Sequence, residues 1–224
     1  MRQQQVPAQR YFARHVETRI RKALADTRIV ALVGPRQAGK SFLAQRIADA
    51  DGRRFLSLDD EDTRELASDP VSFMRSYHNG AVIDEIQRQP KLILALKRDV
   101  DANRQPGRWL ITGSVDLFKS AITPDSLAGR IEVIELLPLS QAESQHQAPG
   151  KFLKRAFACD FPGDAKIGFT DNLSERVATG GYPDVLLRAN MQRRQERLHM
   201  YAQMLTMRFD KRLFALPISM LWEA

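Results

Sequence analysis

Short apolar runs alternate with amphipathic segments along the first part of the chain. The apolar and β-branched runs have the length of buried strands, and they cover residues 28–33, 53–59, 81–85, 108–114 and 131–136. Helices are predicted between them, notably at residues 10–25, 41–50 and 90–103. Strands that alternate with helices predict an α/β fold, a three-layer parallel sheet with helices on both faces.

The alternation ends near Pro138. Residues 141–170 mix Gln, Ser, Pro, Gly and charged side chains, which indicates a loop-rich connection, whereas the segments 171–180 and 185–208 have helical patterns. We therefore predict three parts, namely a core with its N-terminal helix at 1–140, a linker at 141–170 and a small, mostly helical C-terminal region at 171–224.

Composition excludes several classes of protein. Cys159 is the only cysteine, which rules out an internal disulfide framework and a cysteine-rich zinc site. No apolar run is long enough for a membrane span, and the basic N-terminus lacks the apolar core of a signal peptide, so we expect a cytoplasmic protein without membrane contact. The net charge of +7 permits DNA binding but is equally compatible with an ordinary basic surface.

Residues 34–41 carry the clearest chemical signal. They read Gly-Pro-Arg-Gln-Ala-Gly-Lys-Ser, which is the G-x-x-x-x-G-K-[ST] pattern of a phosphate-binding loop, or Walker A motif, between a predicted strand and a predicted helix. Glycines let successive N–H groups face an anion, the lysine reaches the β- and γ-phosphates, and the hydroxyl of Ser41 is a ligand of Mg²⁺. The predicted nucleotide contacts comprise Gly34, Pro35, Arg36, Gln37, Ala38, Gly39, Lys40, Ser41 and Phe42, of which Arg36 has no individual role.

Two carboxylates follow the apolar run 81–83. In a parallel sheet the carboxyl ends of the strands share one edge with the phosphate-binding loop. Asp84 would then bind Mg²⁺ opposite Ser41, as in a Walker B motif, and Glu85 would orient and polarise the attacking water as a general base. The alternative is an acidic pair that caps the next helix.

Two further sites complete the predicted active site. Thr112 and Ser114 end the fourth strand, and either hydroxyl is a candidate to contact the γ-phosphate and place the water, unless both belong to a simple turn. Arg130 lies directly before the fifth strand. It is a candidate to stabilise transition-state charge, in cis or on a neighbouring subunit, and a salt bridge at a strand entrance is the competing interpretation.

Together these residues resemble a known family. GPRQAGKSFL, AVIDEIQRQPKL, WLITGS, SLAGRIEVIELLPLS and GGYPDVLLR occur in this order in the AAA+-like P-loop ATPases of bacteria and archaea that usually carry a C-terminal domain of unknown function. The resemblance covers about residues 10–205. It implies a RecA-like AAA+ core with strand order 5-1-4-3-2, and it implies the same roles for Lys40, Ser41, Asp84, Glu85, Thr112 or Ser114, and Arg130.

The C-terminal end departs from this family. After the last predicted helix the chain ends in the apolar stretch LPISMLWEA, where relatives continue into a further domain. From this difference we expect a truncated output domain. Val115 also replaces the second serine of a Gly-Ser-Ser sequence that is frequent in relatives, which favours Thr112 or Ser114 as the functional hydroxyl.

Three functions follow as hypotheses. The first is Mg²⁺-dependent ATP binding and hydrolysis that moves the C-terminal region, a protein partner or another copy of the chain. The second is a nucleotide-gated binding module with little turnover, with DNA as the candidate partner because Arg188, Arg193, Arg194 and Arg197 lie on one basic helix. The third, a small-molecule kinase, lacks any motif for a phosphate acceptor.

Overall fold

The computed structural model describes residues 11–114, 127–160 and 173–206. The chain divides into two compact units, with the division between Gly150 and Lys151. Several sequence predictions lie outside the described residues, namely those for the basic N-terminus at 1–10, for Val115, for the serine that begins the Ser-Leu-Ala-Gly-Arg sequence, for 161–172 and for the apolar end at 207–224.

The unit Tyr11–Gly150 contains the alternating elements that the hydrophobic pattern predicts. In chain order they are α1 (Glu17–Asp26), β1 (Ile29–Val33), α2 (Lys40–Ala50), β2 (Phe55–Ser57), α3 (Glu61–Leu66), α4 (Pro70–Ser76), β3 (Ala81–Asp84), a 3₁₀ turn (Ile86–Arg88), α5 (Lys91–Ala102), β4 (Trp109–Gly113), β5 (Ile131–Glu135) and α6 (Gln141–Ser144).

The strands form one parallel sheet in the order β2-β3-β4-β1-β5. This confirms the predicted α/β class and the strand order 5-1-4-3-2. Val33 of β1 pairs with Gly113 of β4, and Ile83 of β3 pairs with Ile111 of β4. The carboxyl ends of β1, β4 and β3 therefore lie side by side, and β4 is the strand between the other two.

Two hydrophobic clusters cover the two faces of this sheet. Along β1, Ile29, Ala31 and Val33 pack with residues of α4 and α5, whereas Val30 and Leu32 pack with residues of α1 and α2. All five residues of β1 are buried because successive side chains point to opposite, equally covered faces. This explains why the central strands are continuous apolar runs and do not alternate with polar residues.

Local capping defines the helices between β2 and β3. The side chain of Asp60 accepts a hydrogen bond from the Thr63 N–H at the start of α3, and Asp69 accepts from Val71 and Ser72 at the start of α4. Each carboxylate satisfies N–H groups that have no partner within the helix. Pro70 is then the first residue of α4, which is why the helical pattern breaks there.

Among its described residues, 141–160, the segment predicted as a linker contains two short helices. In α6, Ser140 and Glu143 form a reciprocal capping box, which gives a helical turn to a sequence without an apolar periodicity. The second helix, α7 (Phe152–Phe157), belongs to the other unit. The limits of a linker between domains stay a prediction.

Beyond Lys151 the described part of the chain is helical. After α7 it contains α8 (Leu173–Thr179), α9 (Pro183–Leu186) and α10 (Met191–Thr206). The single helix expected over 185–208 is therefore two helices, because a turn precedes Asn190, whose side chain accepts from the Arg193 N–H at 3.0 Å and so caps α10. None of the helices described in either unit combines the length and apolarity that a bilayer span requires.

Candidate functional site

The loop between β1 and α2 has a backbone shape that two glycines permit. Gly34 has φ +150°, and a Cβ there would lie 2.2 Å from the Leu136 carbonyl oxygen, so no larger residue fits. Gly39 has φ +94° and directly precedes α2, whose N-terminus has no side-chain cap. Gly39 offers no side-chain acceptor to the first N–H groups of α2, and the N-terminus of such a helix favours an anion.

Lys40 is the first residue of α2 and is buried although it is charged. Its Nζ donates to the carbonyl oxygens of Gly34 and Pro35, each at 3.0 Å, and so bridges the loop from inside. Burial lowers the pKa of Lys40, and the nearby carboxylates of Glu85 and Asp84 oppose that shift. The loop lysine and the acidic pair thus belong to one electrostatic site.

The acidic pair is organised around a buried hydroxyl. Thr112 Oγ1 on β4 donates to Asp84 Oδ1 at 2.6 Å and accepts from the Glu85 backbone N–H at 3.0 Å. The Ser57 hydroxyl on β2 donates to Asp84 Oδ2 at 3.5 Å. From the sequence, the hydroxyls of Thr112 and Ser114 are both candidates. The tertiary structure places Thr112 on the acidic pair, whereas Ser114 lies half-buried after the end of β4.

Glu85 adopts a left-handed backbone conformation, with φ +58°. Such a conformation is uncommon outside glycine and concentrates at functional sites. It turns the chain out of β3 into the 3₁₀ turn, where the Gln87 side-chain amide donates to the Glu85 carboxylate. Sequence reasoning assigned Gln87 no role, although it belongs to the Asp-Glu-Ile-Gln sequence that contributes to the family resemblance.

The remaining loop residues differ in exposure. Ser41 is half-buried in the first turn of α2, as a ligand beside the loop requires, and Ala38 is buried. Arg36 and Gln37 are exposed, and Gln37 has φ +64°. Phe42 is 48% exposed and its ring stacks on Tyr11 at a centroid distance of 5.7 Å. The assignment of these residues to nucleotide contacts stays a prediction.

Arg14 lies beside the loop, and no motif in the sequence indicates a role for it. The side chain is buried just before α1 and donates to the carbonyl oxygens of Ala38 and Leu137. Its Nε also donates to Glu143 on α6 at 3.3 Å. These partners lie up to 129 positions apart along the chain, so no local pattern could have found them.

Arg130 lies at the opposite edge of the sheet. Its backbone carbonyl oxygen accepts a hydrogen bond from the N–H of Ile29, the first residue of β1. The phosphate-binding loop begins after Val33, the last residue of β1. A strand of this length separates the two points by about 13 Å at ~3.3 Å per residue. The guanidinium pairs with Asp101, with Nε 2.6 Å from Oδ1. Arg130 thus forms the salt bridge at the strand entrance, and its role at a nucleotide, in cis or on a neighbouring subunit, stays a prediction.

The arginines that motivated the DNA hypothesis have acidic partners within their own unit. Arg188 and Arg197 both pair with Asp184, Arg194 pairs with Glu175 at 3.2 Å, and Arg193 pairs with Glu196 at 2.6 Å. Arg188 lies in the turn before α10, not on the helix with the other three as predicted. Much of the positive charge of these four arginines is neutralised locally, which reduces the attraction that a phosphate backbone would feel.

Comparison with protein families identifies the class. A family model described as an AAA domain matches residues 26–145 of the 224-residue chain. The match contains every strand of the sheet, the phosphate-binding loop and the acidic pair. The chain belongs to the AAA domain family, and it is an AAA+-like P-loop ATPase by family, as the resemblance implied. The C-terminal domain that this resemblance also implied stays a prediction.

Two curated relatives are uncharacterized proteins of mycobacteria. They are Rv2008c of Mycobacterium tuberculosis and Mb2031c of Mycobacterium bovis, each 37% identical over 128 residues. The aligned part is 57% of this chain but only 29% of each relative. The chain therefore matches less than a third of the length of the curated relatives.

Two solved structures are also similar. The Walker-type ATPase PABY2304 of Pyrococcus abyssi gives a TM-score of 0.48 at 17% identity, over 89% of this chain and 75% of that one. PCH-2 of C. elegans gives a TM-score of 0.34 at 16% identity, over 77% of this chain and 51% of that one. The family assignment does not depend on these likenesses.

Proposed function

We propose that this chain binds ATP with Mg²⁺ at residues 34–41 and hydrolyses it to ADP and phosphate. The observation that carries the proposal is the meeting of three elements at one edge of the sheet. The loop after β1 presents N–H groups and Lys40, β4 presents Thr112, and β3 presents Asp84 and Glu85, whose charges reach Lys40.

Binding begins with the triphosphate. The β- and γ-phosphates accept hydrogen bonds from the N–H groups of the loop and from the start of α2, where the helix dipole adds partial positive charge. Lys40 exchanges its two carbonyl acceptors, Gly34 and Pro35, for phosphate oxygens. A buried ammonium gains more from an anion than an exposed one does, because the low local dielectric strengthens their attraction.

The donor set fits magnesium. Mg²⁺ prefers hard oxygen ligands and in nucleotide sites takes one or two protein ligands plus phosphate oxygens. The Ser41 hydroxyl and the buried Asp84 carboxylate, which Thr112 orients, would hold the ion. No cluster of three or more His, Cys, Asp or Glu able to bind a metal occurs among the described residues. Bound magnesium would supply positive charge across the β- and γ-phosphates.

Hydrolysis uses Glu85. A water oriented by this carboxylate attacks the γ-phosphorus, and its proton passes to Glu85 while the bond to the β–γ bridging oxygen breaks and ADP leaves. Gln87 donates to the same carboxylate and thereby limits its rotation. Because the Thr112 hydroxyl already bonds to Asp84, Ser114 is the better candidate to contact the γ-phosphate.

We further propose that the nucleotide state moves the unit beyond Lys151 or a partner. The alternative is a nucleotide-gated module with little turnover, and the paired arginines of α10 lend it little support as a DNA-binding protein. Both hypotheses place ATP at the same site, so the rate of ATP hydrolysis distinguishes them.

The experiment measures Mg·ATP affinity by titration calorimetry and phosphate release on purified chain. Lys40→Ala should weaken affinity by about a hundredfold or more, because two phosphates lose their buried cation. Lys22→Ala, on the exposed side of α1, is the matched control and should change nothing. Glu85→Gln should retain ATP but stop phosphate release.

Three outcomes would count against the proposal or a part of it. Unchanged affinity of Lys40→Ala would remove residues 34–41 as the nucleotide site. Equal phosphate release by the wild type and Glu85→Gln would remove Glu85 as the base, and undetectable release by both would favour the gated binding module.

A further inference from the structure

Arg14 connects three segments that meet at the phosphate-binding loop. Its Nη1 donates to the Ala38 carbonyl oxygen at 2.7 Å, its Nη2 donates to the Leu137 carbonyl oxygen, and its Nε faces Glu143. The residue is 9% exposed and precedes α1, while Leu137 follows β5. One planar guanidinium thus joins the N-terminal segment, the loop and the segment after β5.

Glu143 is itself fixed in place. It is buried, and its carboxylate accepts from the backbone N–H groups of His15 and Ser140, each at 2.8 Å, in addition to Arg14. Burial raises the pKa of Glu143, but those two N–H donors and Arg14 lower it more, so the carboxylate stays charged at neutral pH. The position of Arg14 is therefore determined by a partner that cannot easily move.

The contact with Ala38 bears on phosphate binding through peptide geometry. In a planar trans peptide the C=O and the N–H point in opposite directions. With the Ala38 carbonyl directed at Arg14, the N–H of Gly39 is directed away from Arg14. Gly39 has no Cβ to restrict its φ, so this peptide could otherwise rotate at little cost.

We propose that Arg14 is a positioning residue that keeps the Ala38–Gly39 peptide in the orientation that binds phosphate, with Glu143 holding Arg14 in place. The segment before α1 then sets the affinity of the loop for nucleotide without contacting it. This inference rests on the proposed function of residues 34–41.

The geometry requires arginine and not merely a positive charge. Three acceptors lie around one guanidinium, which presents its N–H groups in a rigid fork. A lysine offers one ammonium on a flexible stem and cannot satisfy the loop carbonyl, the Leu137 carbonyl and Glu143 at the same time. The negative charge of Glu143 also neutralises that of Arg14, so the hydrogen-bond geometry of Arg14 matters here more than its charge.

The chain offers a matched control for the loss of a buried arginine. Arg108 is also buried, pairs with Asp99 with Nη1 2.7 Å from Oδ2, and donates to the carbonyl oxygen of His78. It directly precedes β4, at the edge of the sheet away from the loop. Arg14→Lys and Arg108→Lys therefore make the same chemical change at two distances from the proposed site.

The experiment compares these two variants in calorimetric titrations with Mg·ATPγS and with Mg·tripolyphosphate, which has no base or ribose. We expect Arg14→Lys to weaken both ligands by about tenfold, the equivalent of one lost charge-assisted hydrogen bond. The affinities of Arg108→Lys for both ligands should stay within about twofold of the wild-type values. We expect this even if its unfolding midpoint falls as far as that of Arg14→Lys. Equal affinities in the two variants would overturn the inference.

A second readout does not depend on ligand. The Gly39 amide signal in ¹H–¹⁵N spectra should show exchange broadening in Arg14→Lys and in Glu143→Gln, because the peptide can then rotate. It should stay sharp in Arg108→Lys. If Arg14→Lys does not fold, Glu143→Gln carries the test, and an unbroadened Gly39 signal with unchanged tripolyphosphate affinity would contradict the proposal.

Lys40→Ala separates this inference from the proposed function. If Lys40→Ala abolishes binding of both ligands while Arg14→Lys matches Arg108→Lys, the loop binds nucleotide and only the role of Arg14 is wrong. If Lys40→Ala binds ATPγS like the wild type, the proposed nucleotide site itself is wrong.

Discussion

The amino ends of the strands form one edge of the sheet, here the amino edge, and their carboxyl ends form the other, the carboxyl edge. Both edges carry buried polar groups, but their acidic side chains have different partners. At the amino edge Asp99 pairs with Arg108 and accepts from the Trp109 indole, and Asp101 pairs with Arg130. At the carboxyl edge Asp84 bonds to hydroxyls, and within the described part of the chain neither Asp84 nor Glu85 has an ion-pair partner.

This difference separates a structural cluster from a candidate active site. A carboxylate that already forms an ion pair with an arginine binds a further cation weakly. A carboxylate whose partners are neutral hydroxyls remains uncompensated and can bind a cation. Lys40 and Asp84, both buried, remain unpaired with each other although their charges interact. The carboxyl edge thus tolerates an electrostatic cost that a bound nucleotide and metal would relieve.

The largest effect on stability should come from the amino edge. Asp99→Ala leaves Arg108 buried without its carboxylate, and breaking such a pair costs about 3–5 kcal/mol. Urea unfolding should show this loss, while the Mg·ATP affinity stays within about twofold. A fall in affinity without a fall in stability would break the distinction between the two edges.

Thr112→Val should have an intermediate effect, on both stability and chemistry. The substitution preserves shape but removes the hydroxyl that donates to Asp84 and accepts from the Glu85 N–H, which costs about 1–3 kcal/mol. We also expect a lower affinity for Mg²⁺ in the presence of ATP and slower phosphate release, since Asp84 loses its orientation. Ser114→Ala is the comparison, with slower release at unchanged stability.

The smallest effect on folding should come from Arg130→Ala. Its pair with Asp101 is partly exposed, and pairs of this kind add little stability. Thermal unfolding should therefore be unchanged. If a neighbouring subunit uses Arg130, phosphate release should fall only at protein concentrations at which the chain associates; release that falls equally at all concentrations would exclude that use.

Much of the fold could be predicted from the sequence because its signals are local. The run Ile29–Val33 is apolar at every position, and all five residues are buried between two helical layers. The strand order was expected only from the family resemblance, since hydrophobic periodicity says nothing about which strands are neighbours. The helix expected over 185–208 divides because Asn190 caps α10, a signal that the apolar spacing does not contain.

The candidate site could be predicted in part. The spacing of Gly34, Gly39 and Lys40 locates the loop, and the acids at the end of β3 locate its partners. The sequence did not distinguish Thr112 from Ser114, nor find Arg14 and Glu143, because these roles depend on side-chain contacts between distant segments.

By itself, the sequence determined the loop between β1 and α2 and the alternation of strands and helices, because backbone conformation and burial follow from neighbouring residues. Only the tertiary structure decided that Thr112 bonds to Asp84, that Arg130 lies at the far edge with Asp101, and that Arg14 reaches Ala38. Those contacts follow from strand order and from the packing of helices and connecting segments around the sheet, which bring residues far apart in the chain within hydrogen-bond distance.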